Sequence, residues 1–239
     1  MSKTVSVLGG SGYIGKHCIY KLLKNSSANV FSVSRSGKID MSQYNLSQEE
    51  KDRLKVFKAS ALSKDDLKPI LSQCNGVIHS IGTLVTFDKN GPNSYDTLGR
   101  QTALIAAEVL KENSGITNFV YISAQRGLPF PLSILFGDYI KSKRKAEEEL
   151  KSMKHLNTTI LLPGVVCDPK IRSWSIPLYH SVNILNSFEK TVLGKISPQI
   201  GDKLNLPSRG TMLDNLANYA AKGALGELDK NIYSADEMI

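Results

Sequence analysis

The chain has 239 residues, of which 41% are apolar, and 30 basic against 22 acidic residues give it a formal net charge of +8. A chain of this length can bury one substantial core, or a core together with a small lobe. The positive residues are scattered, apart from the run 141–145, and no aromatic residues are interleaved with them. We therefore expect no nucleic-acid partner.

Cysteine spacing and hydropathy exclude further classes. Cys18, Cys74 and Cys167 are odd in number and far apart, which argues against a disulfide framework and for a reducing compartment. The four histidines form no metal-ligand spacing with them, so no metal site is expected. The longest apolar run, 128–137, contains two prolines and is too short for a membrane span. No cleavable secretory signal is expected before the first strand, although a presequence could have been removed.

Apolar runs alternate with segments of helical periodicity along the first two-thirds of the chain. The predicted strands are Thr4–Leu8, Asn29–Ser34, Leu54–Ala59, Gly76–Ser80, Asn118–Ser123 and Thr158–Leu162. The predicted helices are Gly12–Asn25, Lys64–Cys74, Ser94–Asn113, Leu135–Met153 and, near the end of the chain, Met212–Ala224. This alternation predicts an α/β fold in which a doubly wound parallel sheet carries helices on both faces.

The first predicted strand leads into the glycine-rich turn 9–15. Gly9 permits a tight turn, Gly12 allows a diphosphate to approach the backbone, and Gly15 allows the helix to pack closely on the strand. The N–H groups and the positive dipole end of the following helix then point at the anion. Ser11, Tyr13 and Ile14 complete this predicted phosphate-binding turn, which is typical of a Rossmann-type dinucleotide-binding domain.

The end of the second predicted strand indicates which dinucleotide binds. Proteins that bind NAD place an acidic residue there for the adenosine ribose, but this chain has Ser34, Arg35 and Ser36. A guanidinium binds a 2′-phosphate through paired hydrogen bonds, whereas an acid would repel it. We therefore predict NADP(H) as the cofactor; the alternative is that Arg35 is an ordinary surface charge.

Tyr139 and Lys143 lie four residues apart, on one face of a predicted helix. A phenol is a poor acid or base at neutral pH, but a neighbouring ammonium favours the phenolate, and the same lysine can hold ribose hydroxyls. Most of the charged run 141–149 is expected to be a solvated face, with Lys143 as the exception. The apolar loop 128–136 either caps the core or forms a wall for a hydrophobic substrate, opposite Trp174, Ile176, Leu178 and Tyr179.

These motifs, together with 120–124 and 162–165, resemble the short-chain dehydrogenase/reductase superfamily in its extended and atypical branches. The resemblance covers most of residues 3–166. It implies that Ser60 and Ala61 lie beside the adenine. After about Pro163 the regular alternation fades and prolines break the chain. We therefore expect one domain over 1–239, with a nucleotide-binding core at about 3–166 and a small substrate-covering lobe at about 167–239.

Within that superfamily the chain resembles a subgroup that includes the nucleotide-binding accessory subunit of respiratory complex I and a fungal protein of coenzyme Q biosynthesis. This resemblance implies a mitochondrial setting on the matrix side, with peripheral contact to the inner membrane. It also implies a multiprotein complex and a hydrophobic, quinone-related substrate. Composition and periodicity indicate none of these.

The chain departs from the superfamily pattern where a serine or threonine normally polarises the substrate carbonyl. Ala124 or Gln125 occupies that place, and Ser123 lies one position early, so its side chain is expected on the other face of the strand. Ser123 polarises a carbonyl only if the strand end twists it inward. Two functions follow: an NADP(H)-dependent oxidoreductase that uses Tyr139, Lys143 and Ser123, or a non-catalytic nucleotide-binding scaffold or redox sensor. A sugar-nucleotide epimerase is disfavoured by the small lobe and the apolar loop.

Overall fold

The computed structural model of the chain describes residues 2–83, 86–113, 117–125, 133–171, 175–188 and 209–239. Within these residues the strands are β1 (Thr4–Leu8), β2 (Asn29–Ser34), β3 (Leu54–Lys58), β4 (Gly76–His79), β5 (Thr117–Ile122), β6 (Leu156–Leu162), β7 (Val166–Cys167), β8 (Thr211–Met212) and β9 (Ile232–Ser234). The helices are α1 (Tyr13–Asn25), α2 (Gln48–Asp52), α3 (Lys64–Leu71), α4 (Thr102–Val109), α5 (Ser133–Ser152), α6 (Ser175–Phe188) and α7 (Leu213–Leu225). A π-helix at Asp96–Gln101 precedes α4, and a 3₁₀ turn at Leu110–Glu112 follows it.

Seven strands form the main sheet in the order β3-β2-β1-β4-β5-β6-β9, and every pair in it is parallel. The strand order reverses between β1 and β4, which makes the sheet doubly wound. The predicted Rossmann-type α/β class is therefore confirmed. All six predicted strands are present, with ends within two residues of the predicted ones.

Alternation along the strands builds a core on each face of the sheet. On β5, Phe119 and Tyr121 pack with residues of α3, α4 and α5, whereas Val120 and Ile122 pack with residues of α1 and α7. This is the burial pattern of a parallel sheet covered on both sides. Helix α3 begins after Ser63, whose hydroxyl accepts the backbone N–H of Asp66.

The C-terminal part of the chain contributes to the main sheet. Helix α7 packs on α1 and β5, and β9 extends the sheet beside β6. Helix α6 and the short β7–β8 pair lie outside that sheet. The division into a core and a small lobe stays a prediction, with α7 and β9 belonging to the core layers. None of the helices in the described parts of the chain is both long and apolar enough to cross a bilayer.

Candidate functional site

The carboxyl ends of the parallel strands bring most of the predicted site residues to one edge of the sheet. Gly9 follows β1, Ser34 ends β2, Ser60 follows β3 and Ser123 follows β5. Because ligands of open α/β sheets bind at this edge, beside the point where the strand order reverses, we take it as the candidate site.

The glycine turn is held tightly between the ends of β2 and β4. Gly9 has φ +83°, and a Cβ there would lie 3.0 Å from Ser80 Oγ. A Cβ on Gly15 would lie 2.2 Å from the carbonyl oxygen of Gly9, and one on Gly10 would lie 2.3 Å from Ser32 Oγ. Gly9 and Gly15 thus have the roles predicted for the tight turn and the close helix packing. The contact of Gly10 with β2 was not predicted, because it depends on how the turn folds over the sheet.

The N-terminus of α1 is open. Gly12 is its N-cap and is exposed, no side chain caps the helix, and its first turn contains no acidic residue. Among the described residues outside its own helix and its chain neighbours, a Cβ built on Gly12 would approach only the Gly9 carbonyl oxygen, at 3.1 Å. Free N–H groups at the positive end of a helix form a binding site for an anion. The glycine turn and α1 therefore fit the diphosphate of a dinucleotide.

The turn after β2 presents an exposed guanidinium. Ser34 Oγ and Ser36 Oγ lie 3.2 Å apart, and the N–H of Gly37 donates to the Ser34 carbonyl oxygen at 3.2 Å. These bonds close a tight turn that leaves Arg35 exposed, without a hydrogen bond or ion pair to any residue in the described ranges. The two serine hydroxyls stabilise the turn in addition to any role toward a ligand.

The segment after β3 is fixed by an acidic residue from α3. The N–H of Ser60 donates to Asp66 Oδ2 at 2.9 Å, and this bond lowers the pKa of the Asp66 carboxyl. Ala61 is buried beside it. Asp66 thus fixes the backbone at Ser60, a contact that the sequence pattern did not predict.

Lys143 is a cation inside the protein. Its side chain is buried, and its Nζ donates to the Ile122 carbonyl oxygen at 2.8 Å. The same nitrogen lies 4.7 Å from the centre of the Tyr121 ring. Burial lowers the pKa of the ammonium to about 8, while the nearby Glu147 acts in the opposite direction. A Cβ on Gly82 would lie 3.7 Å from Nζ, so the ammonium lies directly behind the segment that follows β4.

Tyr139 lies on the same helix face as Lys143, but the pKa of its phenol is raised and not lowered as the lysine predicts. Lys143 Nζ is 5.8 Å from the centre of the Tyr139 ring, and the ring packs edge-on against Tyr95 at 5.6 Å. Burial raises the pKa of the phenol to about 12, Tyr95 adds to this, and Arg144 opposes it. The phenol is therefore held in its protonated form, which is the opposite of the shift predicted from the lysine alone.

The hydroxyl of Ser123 is already used within the protein. It donates to the buried carboxylate of Glu147 on α5. The side chain thus faces α5, because Ser123 continues the alternation of Phe119 and Tyr121. While this hydrogen bond to Glu147 is in place, the hydroxyl cannot donate one to a substrate carbonyl.

Arg144 completes this buried polar cluster. Its guanidinium donates to Glu147 and to the carbonyl oxygens of Ala124 and Gln125, the latter two directly after β5. The prediction that most of the charged run is a solvated face is wrong for Glu147, which is buried, whereas Arg144 is only partly buried. Opposite charges three residues apart on a helix were the available signal, but only the packing of α5 on β5 shows that Glu147 is removed from solvent.

The π-helix before α4 was also missed by sequence reasoning. Its wider turn leaves two carbonyl oxygens for side chains: that of Gly99 accepts from Tyr121 Oη at 2.9 Å, and that of Tyr95 at its start accepts from Ser142 Oγ at 2.9 Å. Such insertions are frequent at functional sites. This one sets the position of α5 and therefore of the two candidate catalytic residues.

The predicted substrate wall and the absence of a metal site are tested only in part. Residues 128–132 of the apolar loop and Trp174 lie outside the described residues, so the substrate wall stays a prediction. Tyr179, predicted to face that loop, packs against Gly210. In the parts of the chain that are described, no three metal-ligating side chains come together.

Comparisons with known proteins decide the family. A family model described as NAD(P)H-binding matches residues 9–178, which is more than half of the chain. The chain belongs to this NAD(P)H-binding family. The resemblance to the short-chain dehydrogenase/reductase superfamily is thereby confirmed, and the family is that of NAD(P)-binding oxidoreductases of this type.

Two curated relatives and one solved structure illustrate its range. The chain is 28% identical over 204 residues to MIOREX complex component 2 of Saccharomyces cerevisiae, which covers 68% of this chain and 72% of the relative. It is also 28% identical over 176 residues to the chloroplastic Protein TIC 62 of Arabidopsis thaliana, which covers 67% of this chain but only 27% of that protein. The fold matches that of the Bordetella bronchiseptica enzyme WbmF in complex with NAD+, with a TM-score of 0.64, 16% identity and coverage of 98% and 73%.

Proposed function

We propose that the chain binds NADP(H) and reduces or oxidises a carbonyl/alcohol pair on a hydrophobic, quinone-related molecule. We place this activity in mitochondrial ubiquinone biosynthesis, on the matrix side and within a multiprotein complex. The observation that carries the cofactor assignment is the exposed Arg35 guanidinium in the turn that follows β2, where an acid would mark NAD.

The residues of the site fit a dinucleotide. The open α1 N-terminus would hold the diphosphate, and Arg35 would hold the ribose 2′-phosphate, since a guanidinium without a protein partner pairs readily with a dianion. Ser60 and Ala61 would border the adenine. The glycines at positions 9, 10 and 15 leave no room for a Cβ, so the turn keeps its backbone close to the ligand.

The chemistry assigned to the chain is proton transfer. A bound nicotinamide dinucleotide would supply the hydride for reduction of a carbonyl, or accept it in the reverse reaction. Tyr139 would donate a proton to a carbonyl oxygen; its pKa of about 12 keeps the phenol protonated but makes it a weaker acid than an exposed tyrosine. Lys143 would bind ribose hydroxyls next to Gly82 and keep the phenol and the cofactor in register.

The biological setting rests on resemblance. The motifs that resemble the coenzyme Q subgroup support the quinone-related substrate, and the yeast relative is itself named as a component of a complex. Neither curated relative is named for ubiquinone, and one is named as chloroplastic, so the compartment and the pathway are proposals that need cellular tests.

Replacing Arg35 tests the cofactor assignment. In the Arg35→Ala variant we expect NADPH affinity to fall about 10- to 100-fold, because a hydrogen-bonded charge pair is lost, while NADH affinity changes by less than about twofold. Lys111→Ala is the matched control, since it removes an exposed positive charge from the distant 3₁₀ turn. Calorimetric titration of the three proteins measures both affinities; an unchanged NADPH affinity in Arg35→Ala would contradict the assignment.

One observation favours a second function, a non-catalytic nucleotide-binding scaffold or redox sensor. The hydroxyl that would polarise a substrate is absent at Ala124, and the nearby Ser123 hydroxyl is bonded to Glu147. Nucleotide binding does not depend on this hydroxyl, whereas carbonyl reduction loses a hydrogen-bond donor at the point where charge develops.

Tyr139→Phe separates the two functions. If the chain is an enzyme, this variant fails to restore ubiquinone in cells that lack the native copy, because proton transfer contributes about 10²- to 10⁴-fold to such rates. Its NADPH affinity stays within about twofold of the wild type, as does that of the control Tyr219→Phe, whose hydroxyl donates to the distant Glu237 carbonyl oxygen. Full restoration by Tyr139→Phe, together with failure of Gly12→Val, would establish the scaffold instead.

A further inference from the structure

Three exposed cations surround the turn that follows β2. Arg35 and Lys38 lie in the turn, and Lys58 is the last residue of β3. Their side chains form no ion pair or hydrogen bond with the residues that the structure describes. Exposed cations on neighbouring strand ends, without an acidic partner among the described residues, attract an anion.

The sheet register places Lys58 beside the turn. In the β2–β3 pair Ser34 lies opposite Lys58, so their side chains share one face of the sheet. It is the face on which Ser32 contacts Gly10 of the glycine turn. Lys58 therefore projects from the same side of the sheet as the candidate diphosphate site.

The turn rests directly on the lysine. Gly37 has φ +61°, and a Cβ there would lie 2.6 Å from Lys58 Cβ and 3.1 Å from its Cα. The glycine thus allows the chain to pass over the base of the lysine side chain while the charged end stays exposed. A simple solvent-exposed turn would not require this approach.

We propose that Lys58 is a second specificity-determining cation for the ribose 2′-phosphate and acts together with Arg35. The ligand class is a phosphomonoester on an adenosine ribose, so this inference rests on the proposed NADP(H) binding. Arg35 binds the phosphate oxygens through its planar fork, and Lys58 supplies a point charge from the neighbouring strand. The sequence pattern did not indicate Lys58, because only the register brings position 58 next to position 34.

The test compares two lysines of one strand. Lys58→Met removes the charge but keeps the aliphatic stem that contacts Gly37. Lys55→Met is the matched control, because Lys55 points to the opposite face, where its Nζ lies 5.8 Å from the centre of the Phe31 ring. Calorimetry measures the binding of NADPH and NADH to each protein, and of adenosine 2′,5′-bisphosphate and AMP as probes of the phosphate alone.

We expect Lys58→Met to weaken NADPH and the bisphosphate about 3- to 10-fold and to leave NADH and AMP unchanged. Lys55→Met is expected to match the wild type, and Lys58→Arg, which restores the charge, to keep the preference for NADPH. If Lys58→Met binds NADPH as tightly as the wild type while Arg35→Ala does not, the role of Lys58 is refuted and the cofactor assignment stands. If the wild type itself prefers NADH or binds neither nucleotide, the cofactor assignment fails and the role of Lys58 fails with it.

Discussion

At the scale of single residues, Lys143 combines a structural cost with a candidate function. An ammonium removed from water is destabilised unless it is paired, and here it donates to one carbonyl oxygen and lies against the rings of Tyr121 and Tyr139. The cost appears as a pKa lowered to about 8 from 10.5. A group that carries such a cost in the position where a ribose would bind is a candidate for function.

Lys143→Met should reveal this cost as a pH dependence of stability. Between about pH 8 and 10.5 the unfolded chain keeps the proton that folded Lys143 has lost, so the contribution of Lys143 to stability rises with pH in this range. The difference in unfolding free energy, wild type minus variant, should therefore shift in favour of the wild type by at most about 3 kcal/mol. Urea unfolding at several pH values between 7 and 10 measures it; a constant difference would contradict the burial of a charged lysine.

The site residues that could be predicted are those whose relation is local. The spacing of Tyr139 and Lys143 puts them on one helix face whatever the helix packs against. The Ser123–Glu147 bond joins residues 24 apart and depends on how deeply α5 packs on β5. No local sequence pattern indicates how closely α5 packs on β5, so the sequence could not show that Glu147 accepts the hydrogen bond of the Ser123 hydroxyl.

At the scale of elements, the glycine turn and α1 form one unit with two separate requirements. Gly15 is needed for packing, since a methyl group there would meet backbone atoms of Gly9 and Gly10. Gly12 is exposed, and its φ of −77° is open to any residue; a Cβ there would require the Gly9 carbonyl oxygen, 3.1 Å away, to move by only a few tenths of an ångström. The fold therefore does not strictly require a glycine there. What requires it in our account is the ligand.

Substituting the two glycines separately tests this division. Gly15→Ala should lower the free energy of unfolding by about 1–3 kcal/mol, because the rigid backbone cannot make room for the methyl group. Gly12→Ala should unfold within about 0.5 kcal/mol of the wild type but bind NADPH at least about 10-fold more weakly, since the methyl group covers the helix N-terminus. Urea unfolding and calorimetry measure the two effects; normal NADPH binding by Gly12→Ala would contradict the proposed diphosphate site.

Elements were predictable where their own residues determine them. The strands of the sheet interior are runs of apolar residues between turn signals, and α1, α3 and α5 carry clear helical periodicity. Strand β9 has three residues and is recognisable only through its pairing with β6. The π-helix is stabilised by Ser142 and Tyr121 from other elements, so its own sequence predicted only a helix.

At the scale of the whole molecule, the parallel sheet explains why distant segments form one site. Residues from five separate loops meet because every strand of the main sheet points the same way. The alternation of strands and helices predicted this arrangement, whereas the register that aligns Lys58 with Ser34 could only be read from the structure. The net charge of +8 does not locate a ligand, whereas the exposed cations at the ends of β2 and β3, which form no ion pair within the described parts of the chain, do.

The central claim is that this edge of the sheet binds NADP(H), and a crystal structure of the full chain with NADPH tests it most directly. We expect the diphosphate over the N-terminus of α1, the 2′-phosphate in contact with Arg35, and the nicotinamide ribose beside Lys143. A nucleotide bound with its 2′-phosphate away from Arg35, or crystals grown with excess NADPH that contain no nucleotide at this edge, would contradict the account.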